Sequence, residues 1–473
     1  MARKEEIINI ARHNGAVVYY LQFLAGPTCA KITQVLSKRK LLLVSYLYPP
    51  AGGITVQRAL SFSRYLTELG FEVHVLQAPN APTPVTDRSL LKRIPPEVKV
   101  HGAFTPEPPF KLRHFVWGLL SSKKEPRQGE TPAATAPAQG WRKWAKDAIR
   151  RVICPEPEIL WIPFAVRAAR RIVKRYGIDV VMVTAPPFSA FLVGTRLKRE
   201  FPHLKFVADF RDEWLDFYLN ESDFQSGEIV RRRATEIERE TVESADLVLA
   251  VTHSSLTVIR KRYPELPDSR FVCVHNGFDP AQFANFRARP HGAHKVVVTH
   301  VGTATNASSS RYYLEALEQL PDEFRAKIET RFVGRIADRE QTYFTNRKAE
   351  LKLLGFQPQD VATRHMEETD YLLVTMTDRQ SLPGKLFEYM ATGKPILALS
   401  PAGSEVARIM RETRAGFCVD PFDTPAIQQM LRQICTEPVA AIAAKIDRDK
   451  VAGFERPRQA GLLASLIRNQ WES

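Results

Sequence analysis

The sequence lacks the markers of several protein classes. It contains no apolar run of about 18 residues, so we expect no transmembrane helix. Its five cysteines lie far apart without a CxxC pair, which argues against a disulfide framework or a zinc site and favours a reducing compartment. A GxGxxG loop, a Walker loop and a repeat of solenoid period are also missing. These absences favour a cytoplasmic globular protein.

Residues 1–36 are predicted to form an N-terminal extension. Their most apolar segment, residues 16–25, is too short to span a bilayer. Glu5 and Glu6 interrupt the basic leader that a signal peptide needs. We therefore expect an amphipathic extension rather than a cleaved leader.

Positive charge is concentrated in one part of the chain. The net charge is +15, and residues 111–175 hold 15 Lys or Arg against 5 Asp or Glu. A Pro/Ala/Thr-rich segment at about 119–140 predicts a disordered linker. The helical pattern that begins at Trp141 is aromatic and basic, so it could lie on an anionic membrane or pack on its own domain. No RNA- or DNA-binding module accompanies the charge, and we expect no nucleic-acid partner.

Strand and helix patterns alternate through most of the chain. Short apolar runs, each followed by a turn and a helical pattern, indicate an α/β fold with parallel sheets. Between Gly334 and Tyr371, polar sequence predicts a long helix. The Pro-rich segment at 280–292 separates two series of this kind. We predict an N-terminal domain over residues 37–285, a C-terminal domain over 286–453 and a final helix over 454–473.

Two segments of the first half carry candidate site residues. Gly52 and Gly53 follow the first predicted strand and precede a helix, where backbone amides could bind an anion, or where a plain tight turn would suffice. Asp209 and Asp212 lie at the carboxyl end of another strand, the usual place for a ligand in an open α/β sheet.

The segment 380–395 carries the corresponding feature of the second half. Pro383 and Gly393 predict the start and end of a helix that follows a buried strand. Lys385 and Glu388 then lie three residues apart near its start. A cation and a carboxylate there could hold a phosphate and a sugar hydroxyl, or could simply form a surface ion pair.

Five motifs in this order resemble those of the glycosyltransferases of the GT-B fold, specifically the family 4-like group. They are YPPAGG at 48–53, DFRDEW at 209–214, NGFD at 276–279, HVGT at 300–303, and KLFEY at 385–389 with GKP at 393–395. The resemblance runs from about Leu41 to the C terminus and leaves out residues 111–150.

This resemblance implies two Rossmann-like, doubly wound domains that face each other across a cleft. The N-terminal domain would bind the acceptor, a glycan or a membrane-linked lipid or polysaccharide precursor. The C-terminal domain would bind a nucleotide-diphosphate sugar. The sugar would move with retention of configuration, without a metal ion or a permanently bound cofactor, at the inner face of the membrane or in the cytoplasm.

The resemblance also implies roles for individual residues. Glu388 would hold the hydroxyls of the nucleotide ribose. Lys385 and the first amides of its helix would stabilise the departing diphosphate. Asp209 or Asp212 would face the transferred sugar as a base, a clamp or a scaffold. Further contacts with the donor are expected from Gly52, Gly53, Gly302, Gln380, Ser381 and Leu386.

Gln380 departs from the family pattern. The family often carries two glutamates eight residues apart, and Gln380 stands where the partner of Glu388 is expected. An amide can hydrogen-bond a sugar hydroxyl but cannot act as an anion. The donor sugar therefore stays open. So do two alternatives of the same fold, a sugar-nucleotide epimerase and a non-catalytic sugar-nucleotide-binding scaffold.

Overall fold

The computed structural model describes residues 38–83, 85–107, 153–219, 227–289 and 295–469. Three of the sequence predictions lie outside these residues: the N-terminal extension over 1–36, the linker at about 119–140 and the basic helix that begins at Trp141. No helix in the described ranges is long and apolar enough to cross a membrane.

The first sheet has seven strands in the order β3-β2-β1-β4-β5-β6-β7. Its strands are β1 Lys40–Ser45, β2 Glu72–Gln77, β3 Lys99–Gly102, β4 Val180–Ala185, β5 Lys205–Phe210, β6 Leu247–Ala250 and β7 Phe271–Cys273. The helices that connect them are α1 Ile54–Glu68, α2 Ile162–Tyr176, α3 Phe191–Glu200, α4 Glu228–Ser244 and α5 His253–Arg262. The strands β1 and β4 are nearly fully buried, which explains why they are apolar on both faces.

The second sheet has six strands in the order β10-β9-β8-β11-β12-β13. They are β8 Val296–Val301, β9 Ile328–Val333, β10 Glu350–Gly355, β11 Tyr371–Thr375, β12 Ile396–Leu399 and β13 Gly416–Val419. The helices of this part are α6 Arg311–Glu318, α7 Asp322–Arg325, α8 Gln359–Glu367, α9 Gly384–Thr392, α10 Glu405–Thr413, α11 Thr424–Ile434, α12 Val439–Ala443, α13 Arg448–Ala452 and α14 Arg456–Asn469. Both sheets are parallel, so the predicted α/β class is confirmed.

Alternate residues of β11 enter two separate cores, as the period of a strand requires. Leu373 packs with residues of α6 and α11 on one face of the sheet. Leu372 and Val374 pack with Leu386 and Phe387 of α9 on the other face. Burial on both faces accounts for the unbroken apolar run of β11 and fixes α9 against the sheet.

The prediction of one long helix between Gly334 and Tyr371 is wrong. That segment holds β10 and the shorter helix α8. The sequence pattern predicts neither β3 nor β10, and both strands lie at an edge of their sheet. Most of their side chains are exposed or half-buried. An edge strand of this kind needs no apolar run, so its sequence is as polar as that of a surface helix.

The order of strands reverses at one point in each sheet. In the first sheet the reversal lies between β1 and β4, and in the second between β8 and β11. Loops that leave neighbouring strands in opposite directions open a crevice at the carboxyl ends, where ligands of α/β sheets bind. The crevice of the second sheet is bordered by Gly302, after β8, and by the loop from Met376 to α9.

The described chain divides into two compact units. The first lies within Met1–Ala208, Ser244–Asp246 and Ala460–Ser473, and the second comprises Asp209–Glu243 and Leu247–Gln459. The last part of α14 thus groups with the first unit, where Arg468 donates to the backbone oxygen of Leu69 at 2.6 Å.

Candidate functional site

The crevice of the second sheet holds Lys385 above Gly302. The Nζ of Lys385 is 3.1 Å from Nε2 of His300, the penultimate residue of β8. A Cβ added at Gly302 would lie 3.1 Å from the same Nζ, and Gly302 has φ +121°. A glycine is therefore required there, both for its backbone conformation and for the room that the lysine head needs. Burial lowers the pKa of Lys385 to about 8, although the charge of Glu388 acts in the opposite direction.

The helix α9 presents its residues in different directions. The side chain of Glu388 reaches the surface. Partial burial by the surrounding protein nevertheless raises the pKa of Glu388, although the positive charges of Arg456 and Lys385 act to lower it. No ion pair between Lys385 and Glu388 occurs in the described residues, so the surface ion pair considered from the sequence is not formed. Leu386 is fully buried in the core, so its side chain packs α9 and does not reach the crevice.

A polar cavity of about 170 Å³ within the second unit brings three further predicted residues together. Asp212, Gln380 and Ser381 all line it. Burial raises the pKa of Asp212, and the charge of Arg211 only partly offsets this. In the described part of the chain, Asp212 makes neither a hydrogen bond nor an ion pair. A desolvated carboxylate in a polar cavity is placed to accept hydrogen bonds from a bound molecule.

The loop that carries Gln380 and Ser381 is held by a residue that the sequence did not single out. The Oδ1 of Asp378 accepts from the backbone N–H of Gln380 at 2.9 Å and of Ser381 at 2.6 Å. This side-chain turn fixes the backbone and leaves both side chains free to line the cavity. The signal available in the sequence was an aspartate two residues before the predicted site.

Asp209 lies apart from this cavity. It is fully buried within β5 and does not line the cavity that Asp212 lines. Glu213, which does line it, accepts a 2.5 Å hydrogen bond from Arg262. Arg262 also donates to Glu238 at 2.8 Å, and burial raises the pKa of Glu238 to about 7. The side chain next to Asp212 is thus fixed from α5, a contact that residue spacing could not have predicted.

Gly52 and Gly53, in the first unit, are the last residues of the loop between β1 and α1. Gly53 has φ 88° and ψ −178°, a conformation that glycine alone adopts readily, and it is exposed. Gly52 donates to the backbone oxygen of Val85 at 2.9 Å, and a Cβ there would lie 3.0 Å from the Val85 side chain. Gly52 is therefore fixed by packing, whereas Gly53 faces open space at the start of α1.

One group of side chains in the described ranges has the types that metal ions prefer. Ligand atoms of His253, Cys273 and His275 lie within 4.8 Å of one another. However, Nη2 of Arg408 is 3.4 Å from Nε2 of His275. The positive guanidinium of Arg408, so close to Nε2 of His275, would repel a metal ion bound to that nitrogen. This group therefore gives no support for a metal-dependent reaction.

Two models of known protein families match this chain. Residues 126–282 match the family described as glycosyltransferase family 4, and residues 295–437 match glycosyl transferases group 1. Together the two matches span more than half of the chain. The chain belongs to the family 4-like glycosyltransferases of the GT-B fold.

Individual relatives are more distant. The chain is 26% identical over 174 residues to the probable glycosyltransferase WbjE of Pseudomonas aeruginosa, a match that covers 35% of this chain and 43% of that protein. This chain thus spans less than half of the length of the curated relative that it matches.

Solved structures share the fold at low sequence identity. Anabaena HepE in complex with UDP and glucose has a TM-score of 0.54 and 14% identity, and the match covers 91% of this chain and all of HepE. A glycosyltransferase of Rickettsia africae has a TM-score of 0.57 and 12% identity over 92% of this chain and 100% of its own. These likenesses confirm the GT-B class, with two Rossmann-like sheets.

Proposed function

We propose that this glycosyltransferase moves a sugar from a nucleotide-diphosphate sugar to an acceptor, with retention of anomeric configuration. The observation that carries the proposal is the position of Lys385. Its ammonium group lies above Gly302 at the strand-order reversal of the second sheet, and no carboxylate of the described residues neutralises it in an ion pair. A cation in that crevice suits a diphosphate.

The donor would bind with its diphosphate at Lys385 and at the first amides of α9. When the bond from the sugar to the diphosphate oxygen breaks, negative charge grows on the leaving group and the sugar becomes oxocarbenium-like. Lys385 and the helix N-terminus stabilise that charge without a metal ion. Glu388, at the surface three residues on, would accept hydrogen bonds from the ribose hydroxyls.

The polar cavity would take the transferred sugar. Asp212 would accept from one sugar hydroxyl, while Gln380 and Ser381 can both donate and accept. Since Gln380 replaces a glutamate, this cavity holds less negative charge than the family pattern implies. We infer that Asp212 clamps the sugar, and that Asp209, fully buried in β5, serves as scaffold.

The acceptor would be a glycan or lipid-linked precursor at the inner face of a membrane. The described helix α2 exposes Phe164 together with Arg167, Arg170, Arg171 and Lys174, and the exposed Phe104 packs edge-on against Phe164 at 6.0 Å. Aromatic and basic side chains on one surface suit an anionic headgroup layer. Sedimentation with anionic liposomes that is insensitive to salt would count against this electrostatic attachment.

The donor can be identified by its effect on stability. Because a ligand that binds only the folded state stabilises it, the true donor raises the melting temperature. We expect a UDP-, GDP- or dTDP-sugar to do so in wild-type protein and to lose the effect in Lys385→Met. Lys445→Met is the matched control, because Lys445 is an exposed lysine of the same unit.

Product analysis then separates the possible reactions. A transferase releases nucleoside diphosphate only when an acceptor is present, apart from slow hydrolysis. Conversion of the donor sugar without an acceptor would instead identify an epimerase, and stabilisation without turnover would identify a binding scaffold. Full activity of both Lys385→Ala and Glu388→Ala on the true substrates would overturn the proposed donor site.

A further inference from the structure

His300 is a buried histidine with a defined partner on each ring nitrogen. It is fully buried at the end of β8, and its ring lies 5.7 Å from that of Phe332. Nδ1 is 3.1 Å from the backbone oxygen of Leu373, and Nε2 is 3.1 Å from Nζ of Lys385. A histidine in the core of a parallel sheet packs no better than an apolar residue. The two contacts of its ring nitrogens therefore have to account for a histidine at this position.

The contacts define which nitrogen carries the proton. A carbonyl oxygen only accepts, so Nδ1 must donate to Leu373. In the neutral ring Nε2 then holds a lone pair, and Lys385 donates to it. Burial and the charge of Lys385 both lower the pKa of His300 well below its ordinary value, so the ring stays neutral at physiological pH.

Val301, the residue after His300 in β8, is also bound to α9. The hydroxyl of Tyr389 accepts from the backbone N–H of Val301 at 2.7 Å and donates to its oxygen at 3.1 Å. Gly302 leaves room for the head of Lys385. The end of β8 therefore fixes α9 through Tyr389 and fixes the Lys385 head through His300.

We propose that His300 is a positioning residue for Lys385. As a neutral acceptor it would hold one N–H of the ammonium group above Gly302 and leave the other two for the donor diphosphate. This inference rests on the proposed function for its catalytic consequence, but the contact itself can be tested without any substrate. The charged group that acts on Lys385 is Glu388 on its own helix, and Arg456 in turn acts on Glu388. His300 faces Lys385 as a neutral ring.

Two substitutions separate the acceptor from the volume of the ring. In His300→Gln, the side-chain oxygen can take the place of Nε2 and still accept from Lys385. In His300→Leu, no acceptor remains. The titration of the Lys385 amine is followed by the pH dependence of its acetylation, quantified by mass spectrometry, with Lys445 as the internal reference.

In His300→Gln, we expect the proton affinity of Lys385 to stay near its wild-type value. In His300→Leu, it should fall at least about tenfold, because a hydrogen bond to a charged group is lost. The alkaline limb of kcat/KM should move to lower pH in His300→Leu by the same amount, and His300→Gln should restore it. A merely structural role would change the melting temperature without moving this limb.

Identical titration of Lys385 in the two variants would overturn the inference, whatever the enzyme catalyses. Shifted titration with an unchanged pH profile would show a contact without a role and would also overturn it. If Lys385→Met keeps full transfer, the proposed donor site fails instead, and the acetylation result still stands on its own. Should His300→Leu not fold, ¹⁵N NMR of the wild-type imidazole decides: a proton on Nε2, or an imidazolium at pH 6, contradicts the proposal.

Discussion

The two points of strand-order reversal solve the same geometric problem with different chemistry. After β1, the loop to α1 ends in Gly52 and Gly53, which contribute only backbone groups. After β8, Gly302 is equally constrained in its backbone, but it faces a lysine whose head is already held in place. The first crevice offers space and amides, whereas the second offers an oriented positive charge.

This difference indicates which kind of ligand each crevice suits. Backbone amides alone tolerate varied ligands, while a fixed cation selects for a phosphate-bearing one. The cost of burying the ammonium appears in the pKa of Lys385, which falls from 10.5 to about 8. The second sheet thus gives up some stability to keep a buried positive charge in place, a pattern that is common at functional sites.

Loss of that charge should have the largest effect. In Lys385→Met, transfer activity should fall about a hundredfold or more, since an oriented donor to the leaving group is removed. The folded state should keep its stability or gain some, because a buried cation is replaced by an apolar side chain of similar length. Steady-state kinetics and thermal melts test the two parts, and Lys445→Met should leave both unchanged. A large drop in melting temperature would instead assign Lys385 to structure.

The pH dependence of activity and stability should run in opposite directions above neutrality. With a pKa of about 8, Lys385 loses its proton as the pH rises, so transfer at pH 9 should be about tenfold below its neutral value. The same group is still protonated in the unfolded chain up to about pH 10.5, so between these values its contribution to stability grows with pH. The difference in melting temperature between wild type and Lys385→Met, measured from pH 7 to 10.5, should therefore increase in favour of wild type. A flat difference would mean that Lys385 titrates normally.

Matched alanine substitutions compare the two turns directly. Gly53→Ala and Gly302→Ala both force a side chain onto a positive φ, and each should lower stability by about 1–3 kcal/mol. Only at Gly302 would the new Cβ meet the lysine head, so only Gly302→Ala should also weaken donor binding, by about tenfold. Isothermal titration of the donor at a temperature where both variants are folded measures this. Equal losses would show that the two turns serve the donor alike.

Sequence reasoning succeeded where the structure is repetitive and failed where it is not. The strand β8 and the helix α9 could be placed closely, because a doubly buried strand must be apolar and because proline and glycine mark helix ends. The edge strands β3 and β10 could not be placed, because an exposed strand need not be apolar. Lys385 was singled out as a candidate through its motif and its place after β11.

The spacing of residues along the sequence could not predict which side chains contact the site residues. His300 stood inside a recognised motif, but its contact with Lys385 joins residues 85 positions apart in the chain. The same holds for Arg262, which contacts Glu213 from the end of α5. Such contacts depend on strand order, and one sequence gives the order only through a resemblance. Asp378 is different, because a side-chain turn is local and was open to prediction.

The smallest effect concerns the glutamine that departs from the family pattern. Gln380→Glu would add a third carboxylate to a cavity that Asp212 and Glu213 already line. Like charges disfavour one another's ionisation, so the already raised pKa of Asp212 should rise further and donor affinity at pH 7.5 should fall a few-fold, about three- to fivefold. Lowering the pH should reduce this difference as the carboxylates take up protons, whereas Gln380→Ala, which merely removes hydrogen bonds, should stay weakened at every pH. If Gln380→Glu instead improves binding of a particular sugar, the cavity favours donors that need an anion at this position, and the amide is the residue that restricts the choice of sugar.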